Sequence, residues 1–469
     1  MTKLRNYLQP AGQEVILAIR RINIDWQDQD MNTSSGLNSA PASGMRDILP
    51  QETALRDWAI NRLINKYEQY GFTHIETPAM ENISQLKQVE GGENLNLIFE
   101  ILKRGDKLEK AIREEIDKDG IVDPKRLTAQ LSDLGLRFDL TVPLVRFFAH
   151  NQAKLPYPFK SIQIGSVWRA ESAQAGRYRQ FTQCDIDTFG IKSEIAEMEL
   201  IQATAEALLD LNFDQFVVRI NDRRILAALG LHCGFSPAQL DNLFISIDKL
   251  DKIGLDGVKK ELLDGGHAST AVEQIITLLN KAGKANDDLP AILSPICEEP
   301  VILALNNVMK SIRAVAAGRY SISFDLSLVR GMGYYTGQIF EIVCLGQAHS
   351  VAGGGRYDKM VGKYSGRDVP ACGFSIGFER IISILMEKGI ERPAQASKVA
   401  LIFDQDRDPL EAVFLSANSL RQQGKHVSLL PRKKDMRKQI DSLIAEGFAG
   451  YAVYYPDKEK LEIKSFSTG

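Results

Sequence analysis

Apolar residues recur at helical spacing in the segment 51–70, and this pattern predicts an amphipathic helix. The residues that share its apolar face are Leu55, Ala59, Leu63 and Tyr67. Gly71 follows directly and supplies a typical C-terminal stop. The next apolar stretch, 72–78, predicts a strand that ends at Pro78, because proline cannot donate a hydrogen bond to a neighbouring strand.

Farther along, the pattern changes between strand and helix. Residues 159–189 predict two strands joined by a turn of Ser, Ala and Gly, and residues 222–318 predict a mostly helical module. Strand character returns at 322–345, and a helix follows Gly377. The last part alternates strand and helix, which predicts a separate α/β domain. Its predicted elements are a strand at 399–403, a helix at 409–423, a strand at 426–430, a helix at 436–446 and a strand at 451–455.

Composition narrows the class of protein. The chain has 469 residues, 44% of them hydrophobic and 25% charged, which suits about two to four domains with large cores. It excludes a disordered tail protein, a collagen-like fibre and a disulfide-stapled miniprotein. The formal charge of −3 gives no global positive field, so a nucleic acid would have to bind at a local patch.

The cysteines, the histidines and the lengths of the apolar runs bear on thiol redox state, zinc binding and membrane insertion. The five cysteines are scattered without a CxxC pair, which predicts reduced thiols and a cytoplasmic location. The six histidines show neither HxxH nor HExxH spacing, so the sequence predicts no zinc site. No apolar run approaches the ~20 residues that a membrane span requires, and we expect no membrane partner.

The predicted hairpin at 159–189 has the most informative chemistry. Gln183 and Asp187 are four positions apart on one strand, so they share a face, about 13 Å apart. Arg169, Arg177 and Arg179 surround the turn, and three guanidiniums repel one another unless an anion lies among them. A solvated, salt-bridged hairpin is the alternative interpretation, but the amide and carboxylate on the same surface favour a ligand site.

Two further segments contain glycines beside polar groups. Arg330 is predicted at the end of an apolar strand, followed by glycines that allow close backbone approach. Tyr334 and Tyr335 would then form flat walls with hydroxyl tips, or else pack in the core of a turn. The glycine triplet of 352–358 precedes an arginine and predicts either a cradle for phosphate or another ligand, or an ordinary turn.

Asp139 and Thr141 lie two positions apart, which predicts that they share one strand face. A carboxylate beside a hydroxyl is a natural receptor for an ammonium group. A helix cap, favoured by Pro143, or a structural ion pair is the alternative. Arg380 is predicted inside the helix after Gly377, where it could stack on a base, bind a γ-phosphate or form a surface salt bridge.

Taken in order, these segments resemble the signature motifs of class II aminoacyl-tRNA synthetases, in the variant of the histidyl-tRNA synthetase family. Motif 1 is matched by RDILPQET and THIETPAMEN, motif 2 by WRAESAQAGRYRQFTQCDID, and motif 3 by GFSIGFERI. The two histidine-specific signatures are matched by LVRGMGYYTG and AGGGRYD. The resemblance covers about residues 45–469, and five ordered motifs are far more specific than one.

The resemblance implies a site for histidine. Asp139 and Thr141 would bind its α-ammonium group, and Gln183 would orient the amino acid. Asp187 and Tyr335 would recognise the two imidazole nitrogens, with Tyr334 beside them.

It also implies a site for ATP with Mg²⁺. Arg169 would hold the α-phosphate and the carboxylate region of histidine. Arg330 would stabilise the charge that develops on the α-phosphate, so Arg330 and Arg169 are the implied catalytic residues. Arg177 and Arg380 would complete the ATP contacts, with Arg380 on the triphosphate.

The implied activity is that of a cytoplasmic histidine–tRNA ligase, acting as a homodimer on histidine, ATP and tRNA(His). The alternative is the non-catalytic relative that regulates ATP phosphoribosyltransferase, but that relative usually lacks the arginine of LVRG and the C-terminal domain. The implied fold is an α+β catalytic domain on an antiparallel sheet with a helical insertion, plus a small C-terminal α/β domain. The predicted ranges are a leader at 1–44, catalytic parts at 45–221 and 319–392, the insertion at 222–318, and an anticodon-binding-like domain at 397–469.

Three features depart from the family pattern or leave it open. Residues 171–174 read ESAQ where bacterial relatives often read ERPQ, and Gly333 replaces a common aspartate. The C-terminal domain is expected to lack the last strand and helix of its relatives. Its basic run, 432–438, is interpreted equally well as a tRNA contact and as a solvated helix face.

Overall fold

A computed structural model describes residues 39–88, 97–119, 130–171, 178–282, 293–294, 296–329, 333–347, 349–390, 398–458 and 461–466. The chain divides into two compact units, Met1–Leu385 and Met386–Gly469. The predicted leader lies almost entirely outside the described residues. Among the described helices, none is both long enough and apolar enough to cross a membrane.

Eleven strands are described in the first unit. They are β1 (Thr73–His74), β2 (Met80–Asn82), β3 (Glu100–Leu102), β4 (Ser132–Leu136), β5 (Phe159–Trp168), β6 (Gln180–Phe189), β7 (Phe216–Asp222), β8 (Ser321–Phe324), β9 (Gln338–Cys344), β10 (Ser350–Arg356) and β11 (Ala371–Gly377). Eight form one sheet in the order β1-β5-β6-β11-β10-β9-β7-β8, and β2-β4-β3 form a second. The large sheet is antiparallel except for its edge pairs, β1 with β5 and β7 with β8, so it is mixed rather than purely antiparallel.

The helices through residue 387 cover the sheet and form the predicted helical module. They are α1 (Pro50–Glu68), α2 (Ile83–Gln88), α3 (Asp106–Asp119), α4 (Thr141–Asn151), α5 (Ile195–Asp210), α6 (Arg223–His232), α7 (Leu240–Ile247), α8 (Leu250–Asp264), α9 (Ser269–Ala282), α10 (Glu299–Ala316), α11 (Gly362–Ser365) and α12 (Phe378–Glu387). Helices α6 to α10 lie within 222–318. Gly254 interrupts α8 with a φ of 69°, a conformation that glycine adopts without strain.

The periodic segments behave as their patterns predict. The four residues that define the apolar face of α1 are all buried. Strands β5 and β6 occupy the predicted hairpin and pair from Phe159–Phe189 to Trp168–Gln180. Phe159 and Phe189 pack in a core with Phe148, whose ring stacks on Phe189 at 4.5 Å between centroids. This aromatic core packs against strands β5 and β6.

Two strand predictions are wrong in extent or place. The strand predicted over 72–78 is only β1, because pairing with β5 ends at His74 and the Thr77 carbonyl oxygen accepts a hydrogen bond from the Arg137 guanidinium instead. The strand predicted to end at Arg330 stops at Phe324. There Asp325 starts a turn, in which its carboxylate accepts hydrogen bonds from the backbone N–H and hydroxyl of Ser327.

The second unit contains a four-stranded sheet and two helices. Its elements are β12 (Lys398–Phe403), α13 (Leu410–Gln422), β13 (His426–Pro431), α14 (Met436–Ala445), β14 (Gly450–Val453) and β15 (Lys464–Ser465). The first three strands are parallel in the order β13-β12-β14, as the alternation of strands and helices predicts. The short β15 pairs antiparallel with β14 and was not predicted.

Candidate active site

A cavity of about 740 Å³ lies in the first unit. It brings together the described residues that the resemblance assigns to histidine and ATP, which come from five separate segments of the chain. These residues are Asp139, Thr141, Arg169, Gln183, Asp187, Tyr334, Tyr335 and Arg380. Arg179 does not line the cavity and donates instead to the Glu171 and Ser43 carbonyl oxygens. Arg177 and Arg330 lie outside the described residues, so their assignments stay predictions.

Strand β6 forms the floor of the cavity. Gln183, Asp185 and Asp187 alternate along it, so all three side chains lie on the same face. Antiparallel neighbours on both sides, β5 and β11, fix this strand in register. The floor is therefore a rigid row of an amide and two carboxyl groups.

Asp139 reaches the cavity from a loop, and the prediction that it shares a strand face with Thr141 is wrong. Strand β4 ends at Leu136, and Thr141 is the first residue of α4. Asp139 Oδ1 accepts a hydrogen bond of 3.0 Å from the Val142 N–H, a donor that the first helical turn cannot satisfy internally. The cap that was the alternative for Asp139 thus uses one oxygen and leaves the other for a ligand.

Three buried acceptor atoms around this floor have no hydrogen-bond partner among the described residues. They are Asp139 Oδ2, Gln183 Oε1 and Asp187 Oδ2. Buried polar atoms are nearly always paired, because an unpaired one loses its hydration without compensation. Three unpaired acceptors on residues that line one cavity therefore indicate a ligand rich in hydrogen-bond donors.

Tyr357 positions Asp187 and was missed in the sequence analysis. Its hydroxyl donates a hydrogen bond of 2.5 Å to Asp187 Oδ1, and both residues are almost fully buried. Gly373 leaves the space for this contact, since a Cβ at that position would lie 1.9 Å from Asp187 Oδ1. The only sequence signal for Tyr357 was its place directly after the glycine triplet and Arg356.

The glycine triplet is not a turn, which was one of its two predicted alternatives. Its first residue, Gly353, lines the cavity, so the alternative of a ligand cradle stays a prediction. The triplet lies inside β10, at the centre of the large sheet. A Cβ at Gly354 would lie 2.0 Å from the Gly373 carbonyl oxygen, and one at Gly355 would lie 2.6 Å from the Gln338 carbonyl oxygen. The triplet therefore allows three strands to approach closely beneath the cavity.

Burial changes the acidity of the carboxyl groups. It raises the pKa of Asp187 to about 7, against the hydrogen bond from Tyr357 and with a smaller contribution from the Asp139 carboxylate. Burial also raises the pKa of Asp139 to about 6. The pKa of Asp185 is well above its ordinary value because of burial and the neighbouring Asp187. A cationic ligand would relieve this cost, since an opposite charge favours the ionised carboxylate.

Aromatic rings and cations complete the walls. The rings of Tyr334 and Tyr335 lie 4.7 Å apart, and Tyr334 meets Tyr357 edge-on at 5.9 Å. The Arg169 guanidinium lies 5.0 Å from the Phe181 ring centroid, and its Nε donates to the Phe138 carbonyl oxygen. Arg380 donates to the Ser350 carbonyl oxygen from α12, the helix predicted to hold it.

Comparison with known proteins identifies the family. A family model described as histidyl-tRNA synthetase matches residues 124–381, more than half of the chain. The chain belongs to the histidyl-tRNA synthetase family. A histidine–tRNA ligase of Leifsonia xyli subsp. xyli is 44% identical over 424 residues, which cover 88% of this chain and 94% of that protein. The family predicted from the ordered motifs is confirmed.

Other histidyl-tRNA synthetase relatives agree over similar lengths. A probable histidine–tRNA ligase of Tropheryma whipplei is 36% identical, covering 89% of this chain and 96% of that protein. A crystal structure of histidyl-tRNA synthetase from Nostoc sp. PCC 7120 superposes with a TM-score of 0.71 at 28% identity, covering 92% of this chain and 95% of that one. A structure titled ATP phosphoribosyltransferase regulatory subunit/histidyl-tRNA synthetase, from Bacillus halodurans C, has a TM-score of 0.67 at 21% identity and covers 89% of this chain and 98% of that one. The last likeness concerns the fold alone.

Proposed function

We propose that the chain is a histidine–tRNA ligase. The carboxylate of histidine attacks the α-phosphorus of ATP in line, which forms histidyl-adenylate and releases pyrophosphate. A ribose hydroxyl at the 3′ end of tRNA(His) then attacks the carbonyl carbon of the adenylate, and AMP leaves. Neither step needs a protein nucleophile, so the protein contributes positioning and electrostatic stabilisation.

The observation that supports this proposal is the set of unpaired acceptors on the cavity floor. Histidine offers complementary donors, namely three N–H groups on its ammonium and an N–H on its imidazole. We assign the ammonium to Asp139 and Thr141, with Gln183 orienting the amino acid. The imidazole nitrogens are assigned to Asp187 and Tyr335, with Tyr334 beside them. A ligand without ring nitrogens would leave a buried carboxyl group unpaired, which disfavours other amino acids.

The ATP contacts are assigned to arginines. Arg169 lies beside the floor and is assigned to the α-phosphate and the histidine carboxylate, while Arg380 is assigned to the triphosphate. We keep Arg330 as the residue that stabilises charge on the α-phosphate, and Arg177 as a further ATP contact. Guanidinium suits these roles because its planar fork matches phosphate oxygens.

Mg²⁺ enters this proposal as part of the MgATP substrate. The described residues include no group of three or more His, Cys, Asp or Glu side chains arranged around a metal ion. Mg²⁺ at nucleotide sites is commonly held by phosphates together with one or two carboxylates, so substrate phosphates would supply most of its ligands.

The second unit is assigned to tRNA. Its basic run, 432–438, contains five Lys and Arg side chains, all exposed. Arg432 and Lys458 both lie over the ring of Tyr455, at 5.4 and 5.5 Å from its centroid. Exposed cations beside an aromatic ring suit phosphate contacts and base stacking, which favours a tRNA contact over a merely solvated helix face.

We also propose a homodimer built around 51–78. Helix α1 buries one apolar face within the chain, while Leu49 and Met80 beside this region are 67% and 54% exposed. Two-fold, self-complementary interfaces are the commonest oligomers. Light scattering should return about twice the chain mass of 52.2 kDa, and a value near one chain mass would contradict the dimer. We also propose a cytoplasmic location, which the reaction and the scattered cysteines support.

Pyrophosphate exchange tests the reaction. The purified protein should exchange labelled pyrophosphate into ATP only when histidine and Mg²⁺ are both present, with each other amino acid as a control. Exchange that does not depend on an amino acid, or none at all, would contradict the ligase and favour the regulatory relative. Aminoacylation of tRNA(His) transcript, with a transcript of another tRNA as control, tests the second step.

A further inference from the structure

Gln183 offers two chemically different ends to the same space. A primary amide carries an oxygen that only accepts hydrogen bonds and an NH₂ group that only donates them, and the two ends have similar size and shape. A rotation of the amide by 180° would exchange them. A site that must receive donors therefore requires something that holds the Gln183 oxygen toward the ligand.

Strand β11 supplies a group that could do this. Ser375 pairs in register with Asp185, directly across the β6–β11 ladder, and Gly377 pairs with Gln183. Cross-strand partners place their side chains on the same face. Because Gly377 has no side chain, Gln183 can lean along the strand, and its Nε2 donates a hydrogen bond of 3.0 Å to Ser375 Oγ.

The serine hydroxyl is itself oriented by Asp185. Ser375 Oγ donates its only proton in a short hydrogen bond to Asp185 Oδ1, and Asp185 is 2% exposed. With its proton committed there, the hydroxyl can only accept from Gln183, so it selects the NH₂ end of the amide. An ionised Asp185 has only acceptor oxygens, and a protonated Asp185 keeps the same direction when its proton is on Oδ2.

We propose that Asp185 and Ser375 are positioning residues for histidine binding, which fix the Gln183 amide so that Oε1 faces the cavity as an acceptor. Neither was singled out by the sequence analysis, and the assignment rests on the proposed function of Gln183. The unpaired state of Oε1 on a buried floor is what this orientation produces. The specificity for a ligand with donors thus comes partly from a hydroxyl that need not touch the ligand.

Ser375→Ala tests the proposal. The amide loses the contact that selects its orientation, so the KM for histidine in pyrophosphate exchange should rise. The rise is about twofold if both orientations become equally populated, and about tenfold if the hydrogen bond from histidine to Oε1 is lost entirely. The KM for ATP should stay unchanged. Ser375→Thr keeps the hydroxyl and should restore most of the affinity, whereas a purely packing role would not be rescued by it.

A double-mutant cycle separates positioning from packing. In a Gln183→Ala background there is no amide to orient, so Ser375→Ala should cause almost no further rise in the KM for histidine. Costs that simply add would overturn the proposal. Asp185→Ala releases the serine proton toward the Gln183 oxygen, so it should raise the KM for histidine at least as much as Ser375→Ala does.

A control serine and the wild type complete the experiment. Ser323→Ala removes a hydroxyl from β8, at the edge of the same sheet, and should leave the KM for histidine unchanged. If the wild type does not exchange pyrophosphate with histidine, the proposed function fails. If it does, and Ser375→Ala binds histidine as well as the wild type, only the positioning role fails.

Discussion

Two neighbouring residues at the end of β10 bind buried carboxyl groups that differ in how completely their hydrogen bonds are satisfied. Arg356 and Tyr357 are adjacent, so their side chains leave on opposite sides of the sheet. Arg356 donates from two nitrogens to the two carboxylate oxygens of Glu197 on α5, at 2.6 and 2.7 Å. It also donates to two backbone carbonyl oxygens and, at 3.3 Å, to the Asp358 carboxylate. Tyr357 donates to one oxygen of Asp187, whose other oxygen has no partner among the described residues.

The difference separates a structural contact from a ligand site. A buried ion pair in which every donor and acceptor is used gains nothing from a ligand, and removing one partner leaves a costly isolated charge. A buried carboxyl group with one unused oxygen already bears part of that cost in the empty protein. A ligand with donors removes the cost, so half-satisfied groups in a cavity indicate binding.

The largest expected effect is on the structural side of this comparison. Glu197→Ala should lower the free energy of unfolding by about 3–5 kcal/mol, because it removes the bidentate, fully buried partner of the Arg356 guanidinium and leaves only the 3.3 Å contact with Asp358. Urea unfolding measures the loss. Glu199→Ala on the same helix removes a partner of Lys160 whose side chain is 26% exposed, and it should cost less than about 1 kcal/mol. Equal costs for the two variants would contradict the distinction.

The second effect lies on the ligand side. Asp187→Ala should weaken histidine binding by about 10- to 150-fold, the value of one hydrogen bond to a charged group, about 1.5–3 kcal/mol. The KM for ATP should change far less, because the carboxylate is assigned to the imidazole. Calorimetry measures the histidine affinity, and steady-state pyrophosphate exchange measures the KM for ATP. An unchanged histidine affinity would make Asp187 a structural residue.

The smallest effect concerns stability and pH. The pKa of Asp187 is about 7 in the folded protein against an ordinary value of 3.8, so the native state binds more protons between these values and stability falls as the pH rises. Asp187→Asn removes this loss. At about pH 8 this variant should stabilise the protein by on the order of 1–2 kcal/mol, once the cost of burying an amide has been subtracted. At about pH 4, where the carboxyl group is protonated anyway, the gain should be small.

Denaturant unfolding at the two pH values measures this gain. The other titratable groups that face Asp187 are unchanged in the variant; they are Asp139, Asp185, Tyr357 and Cys372. The difference in unfolding free energy between the variant and the wild type therefore reports on the Asp187 carboxyl group alone. A gain that is the same at both pH values would show that Asp187 is not the titrating group.

Periodic segments were predictable because one side of each element packs against a core. The alternation in 159–189 predicted β5 and β6, and the four-residue spacing in 51–70 predicted α1. Asp139 and Thr141 were misplaced because a spacing of two fits a strand and a loop–helix junction equally well. Only the end of pairing at Leu136, which depends on β2 and β3, decides between them.

The missed site residues depend on contacts between distant parts of the chain. Tyr357 meets Asp187 across 170 positions, and Ser375 meets Asp185 across 190. The turn alternative for the glycine triplet was wrong for the same reason, since the backbone that crowds Gly354 belongs to β11. Local patterns cannot predict which strands will be neighbours, so these roles emerge only once the sheet order is known.

The pairing of β6 on both sides also constrains how related proteins can change in length. One residue inserted within β6 would turn every later side chain to the opposite face. Asp187 would then point away from the cavity, whereas Asp139, which is not part of β6, would still line it. Insertions and deletions among relatives should therefore collect in loops. Strands β6 and β11 should keep a constant number of residues.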